Sequence, residues 1–373
     1  MKILLIAYPS LKKDPRPFRQ ISLLHRDNYL HTVGGGPSGL EDEFTLLKKN
    51  NFLIELFRLI LLKLNLYLRY NFDIHKKKVL KKLVNYHFDL VIVHEVRLLP
   101  LALSIAKKSP VILDAHEYSP KNFDDNFLWR FFIKKYYTFL CEKYIPKVNK
   151  IITVSPGIVN AYKKEFKKET FLITNACKFY ENLQPRKINT SKIKLIHHGI
   201  ANSSRKLELL IEMMKYLDNK LYELTFMLTN TSMSKMYLEK LKFASRKLNI
   251  RFIPPVKRED LVDFTNNYDI GIHFIPPSNF NLKYGLGNKF FEFIQSRIAI
   301  AIGPDIEMSK YVKKYDLGII SSSWSPKSLA DKISETSIDK LNYYKNQTHK
   351  YAQTLSSKDN NEFFIDLINK YKR

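Results

Sequence analysis

Residues 193–211 read IKLIHHGIANSSRKLELLI. An apolar run of strand length ends at His198, Gly199 lets the backbone turn, and Ser203 or Ser204 can cap the helical pattern that follows. Arg205 then falls in the first turn of that helix. Free N–H groups there favour an anion, and a guanidinium adds a bidentate clamp for phosphate. The competing reading is a surface arginine at an ordinary strand-to-helix turn.

The same strand–turn–helix alternation runs on both sides of this unit. Upstream, strands are expected at 2–8, 29–33, 89–94, 111–115, 151–155 and 170–174. Helices are expected between them, over about 16–27, 40–70, 74–86, 98–107, 126–146 and 157–167. Downstream, strands are expected near 193–198, 222–228, 250–253, 269–274, 298–302 and 317–321. Helices are expected near 204–217, 234–248, 258–267, 288–297, 305–314 and 326–336, with a helical tail from 338. Such alternation implies parallel sheets covered by helices on both faces. A polar stretch over 178–191, containing Pro185, interrupts it and reads as a linker. The fold class is therefore α/β: two doubly wound, Rossmann-like domains in tandem, 1–183 and 184–350. Residues 351–373 form a C-terminal helix placed to pack back on the first domain. Ligands of such sheets lie at the carboxyl ends of the strands, so two facing sheets suggest one central cleft.

Composition sets the outer limits. The chain has 373 residues, 45% of them apolar, which suffices for two cores. Its opening, Met1-Lys2 before ILLIA, is too short and wrongly flanked for a signal peptide. The two cysteines, Cys141 and Cys177, make neither a metal spacing nor a disulfide framework, and a reducing cytoplasm fits them best. The formal charge is +26. Nucleic acid, an anionic membrane and a plain lysine bias compete as its cause. The basic residues are dispersed, and no RNA-binding or zinc-finger motif accompanies them. No nucleic-acid partner is expected; diffuse charge can still draw a protein to an anionic surface.

Four further stretches carry chemistry. Residues 34–39, GGGPSG, satisfy G-x-G-x-x-G, but they follow the second strand and lack a later acidic partner. Ser38 and Glu41 make a capping box, so helix initiation and a flexible loop account for them better. VILDAHEYSP (111–120) puts Asp114, His116 and Glu117 at a strand end, where α/β sites place chemistry, although His116 could equally just hydrogen-bond within its loop; HEVR (94–97) ends the neighbouring strand likewise. These residues are not at helical metal spacing, so no metal is expected. NFLIELFRLILLKLNLYLRY (51–70) is strongly apolar, but Glu55, Arg58, Lys63 and Arg69 argue against a membrane span. A core helix is the default there, with a helix dipping into a membrane surface as the alternative. NLKYGLGNKFFE (281–292) places Lys289 and Glu292 three residues apart on one helix face, after Gly285 and Gly287. The glutamate can accept from two vicinal hydroxyls and the lysine can meet a phosphate, as a ribose diphosphate requires. Glu292 could equally serve its helix dipole.

At this point the residues carry a family likeness. YDIGIHFIPP…NLKYGLGNKFFEF (268–293) resembles the donor-site signature of glycosyltransferase family 4, which has the GT-B fold. DPRPFRQ (14–20), DAHEYSP (114–120), KIITVSPGI (150–158) and the Gly199–Arg205 turn fit it in order, over nearly the whole chain. The resemblance implies a retaining, metal-independent transferase with no cofactor, using a nucleotide diphosphate sugar. By position, Glu292 would hold the donor ribose, with Gly199 and Asn288 beside it. Arg205 and Lys289 would neutralise the leaving diphosphate, and His116 would contact the donor sugar near the reaction centre. Arg16 and Glu117 would serve the acceptor. Two positions depart from the pattern: Tyr284 stands where a second glutamate is usual, and Ala201 where a basic residue is common. The expected activity is sugar transfer to a glycan or lipid-linked acceptor in surface polysaccharide synthesis, at the inner face of the cytoplasmic membrane. The alternative is a non-catalytic sugar-nucleotide or polyanion binder of the same fold.

Overall fold

The computed structural model describes residues 1–229 and 234–372. They form two compact units, Met1–Thr174 with Asn279–Asn281 and Asn361–Arg373, and Asn175–Ser278 with Leu282–Asn360.

The first unit is built on strands β1 (Lys2–Ile6), β2 (Tyr29–Gly34), β3 (Glu43–Leu46), β4 (Leu90–His94), β5 (Val111–Ala115), β6 (Lys150–Thr153) and β7 (Thr170–Leu172). They pair in parallel in the order β3-β2-β1-β4-β5-β6-β7. Continuous apolar runs make β1, β4 and β5 buried throughout or nearly so, because helices cover both faces of the sheet. The order reverses between β1 and β4, and the loops after these strands frame the natural site of such a sheet.

Two sequence expectations change here. Residues 40–46 were expected to be helical, yet β3 lies there, at the sheet edge. Glu41 does bond back to Ser38, but its carboxylate also accepts from the N–H of Gly39 and of Leu40, each at 3.0 Å, and closes a loop instead of opening a helix. The neighbouring glycines have a packing reason of their own. A Cβ on Gly35 would sit 2.9 Å from the Tyr8 carbonyl, so this glycine is needed for packing against the loop after β1. The second change concerns the apolar stretch. The helix Phe52–Lys63 buries only Leu62, while Phe52, Leu53, Ile54, Leu56, Phe57 and Ile60 are exposed. It is not a core helix. Arg58 and Glu55 turn its polar side towards Tyr70 and Asn50, which leaves the apolar side outward. No helix among the described residues is long and apolar enough to cross a membrane.

The second unit has strands β8 (Ile193–Ile200), β9 (Tyr222–Thr229), β10 (Ile250–Ile253), β11 (Ile270–His273), β12 (Ala299–Ile302) and β13 (Gly318–Ile320). Their order, β10-β9-β8-β11-β12-β13, is again doubly wound and parallel. One apolar cluster gathers Leu195, Phe226 and Ile272, and another gathers Ile196, Phe290 and Ile300. The polar 178–191 stretch is tied into this unit. Arg297 Nη2 donates to the Tyr180 carbonyl (2.6 Å) and Arg186 Nε to Asn266 Oδ1 (2.8 Å). The tail is two helices, Ile338–Lys350 and Lys358–Asn369. Phe364, Leu367 and Ile368 of the latter enter the first unit's core beside Ile3 and Leu5.

Candidate functional site

In the second unit, Gly199 lies near the end of β8 with φ +134°, a conformation that side chains other than hydrogen rarely allow. A Cβ there would lie 3.2 Å from Arg205 Nη1 and 3.3 Å from Lys289 Nζ. The missing side chain thus leaves room at a point on which two cations converge. Arg205 is not in a helix: Asn202 caps a single tight turn, Ser203–Arg205, and Lys206 turns left-handed before the helix Glu208–Met214 begins. The expected Ser203 or Ser204 cap is therefore replaced by Asn202, and Arg205 lies outside the first turn of the helix that follows.

Lys289 enters from the helix Asn288–Gln295, whose first residue is Asn288 and whose N-cap is Gly287. It is buried, with Phe290, Phe291 and Phe293 around its helix. Its ammonium contacts His197 Nε2 at 3.2 Å, while His197 Nδ1 donates to the Ile272 carbonyl at 2.9 Å. That second bond fixes the tautomer, so Nε2 is the acceptor and the imidazole is neutral. Burial pushes Lys289 well below the ordinary lysine range, and the Arg205 charge pushes the same way. His197, His198 and His273 are likewise held uncharged by burial, with Lys289 as a further cause in each. Neither Arg205 nor Lys289 makes an ion pair among the described residues. Glu292, one turn along the helix from Lys289, has its carboxyl raised by burial and sits 3.8 Å from His198 Nε2. Ala201 is fully buried, so no charge could stand there without leaving the core. Tyr284 is half-buried beside Lys283.

The sequence reading singled out Gly199, Arg205, Asn288, Lys289 and Glu292; the fold gathers Gly199, Arg205 and Lys289 at one point. It missed the three histidines. Their signal was two consecutive imidazoles, His197 and His198, ending an otherwise apolar strand.

In the first unit the key group is Asp114, fully buried at the end of β5. Arg16 Nε donates to both its oxygens (2.8 and 2.9 Å) and Gln20 Nε2 to one of them (2.5 Å). Burial alone would raise this carboxyl; Arg16, His94 and His116 outweigh that and hold it below its ordinary range. Arg16 also donates to the Ile173 carbonyl at 2.8 Å and is itself buried, so it braces the site from inside. His94 Nδ1 and His116 Nε2 share a hydrogen bond of 2.9 Å. Burial lowers both, His94 to about 3, so the pair is neutral. His116 and Glu117 line a cavity of about 290 Å³ with Glu95 and Arg97. Glu95, a non-glycine at φ +72°, holds strained backbone at the rim, as residues at functional sites often do.

Among the described residues one group could hold a metal ion: His94, Asp114 and His116, whose ligand atoms lie within 4.8 Å of one another. The linear sequence gave no such spacing. The donor set is already committed, with Asp114 to Arg16 and Gln20 and the two imidazoles to each other. A cation beside Arg16 would also meet its charge. The residues do not fit a metal in this arrangement.

No family model and no curated protein sequence matches the chain. Solved structures do. HepE of Anabaena in complex with UDP superposes with a TM-score of 0.72 over 99% of this chain and 100% of that one, at 14% identity. A UDP-forming α,α-trehalose-phosphate synthase of Burkholderia vietnamiensis gives 0.69 over 99% and 100%, at 9% identity. TarM of S. aureus, in a complex that includes UDP, gives 0.64 over 79% of this chain and 59% of that one, at 14% identity. The fold is GT-B. The GT-B fold expected from the ordered motifs is thus present, with a seventh strand in the first sheet that the sequence reading lacked.

Proposed function

We propose that the chain is a glycosyltransferase that moves a sugar from a nucleotide diphosphate sugar to a glycan or lipid-linked acceptor. The observation that carries this is the convergence of Arg205 and Lys289 beside Gly199, two basic groups that make no ion pair among the described residues. Burying a cation without a counter-ion costs free energy, and a bound diphosphate supplies the counter-charge. Charge grows on that diphosphate as the glycosidic bond breaks, so fixed donors here stabilise the transition state more than the ground state. Glu292 takes the ribose hydroxyls, and Gly199 admits the phosphates to the backbone. Asn288 stands beside them at the start of the helix.

The likeness to glycosyltransferase family 4 supports a retaining, metal-independent reaction in which the leaving diphosphate takes the acceptor proton. In that reading His116 acts on the donor sugar near the reacting carbon, Glu117 meets the acceptor, and Arg16 positions both through Asp114. The UDP seen with HepE and TarM makes a uridine nucleotide the first donor to try. The outward apolar face of Phe52–Lys63 supports peripheral work at the inner face of an anionic membrane, in surface polysaccharide synthesis. The test is a nucleotide-release assay across sugar nucleotides, with product stereochemistry read by NMR. Activity should persist in EDTA. No release with any donor, together with intact nucleotide binding, would favour the non-catalytic binder instead.

A further inference from the structure

A second cavity in the first unit, of about 240 Å³, is not accounted for by donor chemistry. Lys49, Arg58, Lys76 and Arg97 reach it, against only Glu55 and Asp73. Both carboxylates are already occupied. Asp73 accepts from the backbone N–H of Lys76 (2.8 Å) as a helix cap, and Glu55 accepts from Asn50 (2.5 Å) and the Tyr70 hydroxyl (3.3 Å). Lys76 gains neither carboxylate for its ammonium. Lys76 is 2% exposed, and its ammonium bonds only neutral oxygens, Asn71 Oδ1 (3.2 Å) and the Arg97 carbonyl (3.0 Å). Arg58 pairs with Glu55 (3.6 Å) and Arg97 with Glu95 (2.6 Å), yet neither buried Nε–H has a hydrogen-bond partner among the described residues. A buried ammonium that touches no carboxylate, beside two guanidinium groups that each keep one N–H without a hydrogen bond, makes this cavity a place where an anion would be stabilised. Consistent with this, burial pushes Lys76 down to about 7.

Position narrows the anion's identity. Arg97 also forms part of the wall of the cavity that holds His116 and Glu117. One extended molecule could therefore put an anionic group among Lys76, Arg58 and Arg97 and a hydroxyl beside His116. Tyr8 and Tyr70 flank the anionic end with their rings against the cations: Arg97 lies 4.8 Å and Lys76 5.4 Å from the Tyr8 ring centre, and Arg58 5.2 Å from that of Tyr70. Paired guanidinium donors match the oxygens of a phosphoryl group better than a single carboxylate does.

We propose that this cavity binds a phosphoryl group carried by the acceptor, so that the acceptor is a phosphate or diphosphate ester. The acceptor role rests on the transferase reading; the phosphate site does not.

The experiment is isothermal titration of inorganic pyrophosphate into the full chain, first saturated with UDP so that Arg205 and Lys289 are occupied. Binding is expected, and Lys76→Met or Arg58→Gln should weaken it about tenfold or more, the effect of losing one charge-assisted contact. The Arg58 side chain is 16% exposed and so less buried than Lys76, and its variant tests the site even if Lys76→Met does not fold. UDP affinity should stay unchanged in both. Pyrophosphate that fails to bind the UDP-saturated protein, or binds both folded variants as tightly as the wild type, would overturn the proposal. If UDP itself does not bind, the same titration is run on Lys289→Met. Pyrophosphate binding that still depends on Arg58 then upholds the phosphate site while the transferase reading falls. Competition by glycerol 3-phosphate would mark a soluble ester, and competition only by phosphatidic acid vesicles a lipid-borne one.

Discussion

If Lys289 is depressed by burial and by Arg205, nucleotide binding must carry a proton with it. Two nitrogens lying 3.2 and 3.3 Å from one point are at most about 6.5 Å apart, where like charges repel by roughly 2.5 kcal/mol at an effective dielectric of about 20. Burial and this repulsion both favour release of the Lys289 proton in ligand-free protein, and a diphosphate drawn between the two favours its return. UDP binding above the ligand-free pKa of Lys289 is therefore expected to take up close to one proton. Affinity should then fall by up to about tenfold for each pH unit of rise. Calorimetry in Tris and in HEPES, from about pH 8 to about pH 10, reads this directly as a dependence of the heat on buffer. A terminal phosphate, with its second pKa near about 6, is already ionised there and adds nothing. Lys289→Met should abolish the buffer dependence, and Arg205→Gln should weaken it by letting Lys289 keep its proton. In the ligand-free protein the sign reverses. The unfolded lysine, near 10.5, holds a proton that the folded one gives up more readily, so the penalty this residue places on folding shrinks as pH rises towards 10.5. Heats that are equal in both buffers across the range, with Lys289→Met behaving as wild type, would refute the reasoning.

Gly199→Ala should lose nucleotide affinity by about tenfold and cost about 1–3 kcal/mol of stability from its forced φ, which titration and denaturant unfolding would read together. Glu292→Ala should weaken UDP and free uridine alike, by about 1.5–3 kcal/mol, because the ribose is common to both; an effect on UDP alone would remove the ribose role. Asp114→Asn should cost about 3–5 kcal/mol in urea unfolding, since Arg16 would keep a buried charge with no counter-ion, and an unchanged midpoint would contradict the brace. Phe52→Ser with Phe57→Ser should reduce co-sedimentation with anionic vesicles at low salt while leaving nucleotide release from soluble substrates intact.

The strand–helix alternation was legible because β1, β4, β8 and β12 are apolar runs buried in parallel sheets, and burial writes itself into composition. β3 was not. Its residues lie at the sheet edge, its Glu43 answers Tyr29 and His31 on the neighbouring strand, and the Ser38–Glu41 pair imitates a helix start. Lys289 and Glu292 could be placed on one helix face from spacing alone. The partnership of Arg16 with Asp114 could not, since 98 positions separate them and only the sheet order brings them together. The helix Phe52–Lys63 misled for a related reason: apolar content measures what a residue prefers, not whether the fold has a neighbour to offer it.

The helix that contributes Phe364, Leu367 and Ile368 to the first unit's core has a consequence for how the chain is made. On the ribosome, residues 1–174 emerge before this helix, and the hydrophobic seat beside Ile3 and Leu5 cannot fill until residue 368 has appeared. Nearly all of the second unit, up to the first turn of that helix, is synthesised in the meantime. The usual vectorial order, in which the first domain matures first, is thereby inverted. The earliest-made sheet waits for its closing helix, and throughout that wait its apolar face is a client for chaperones.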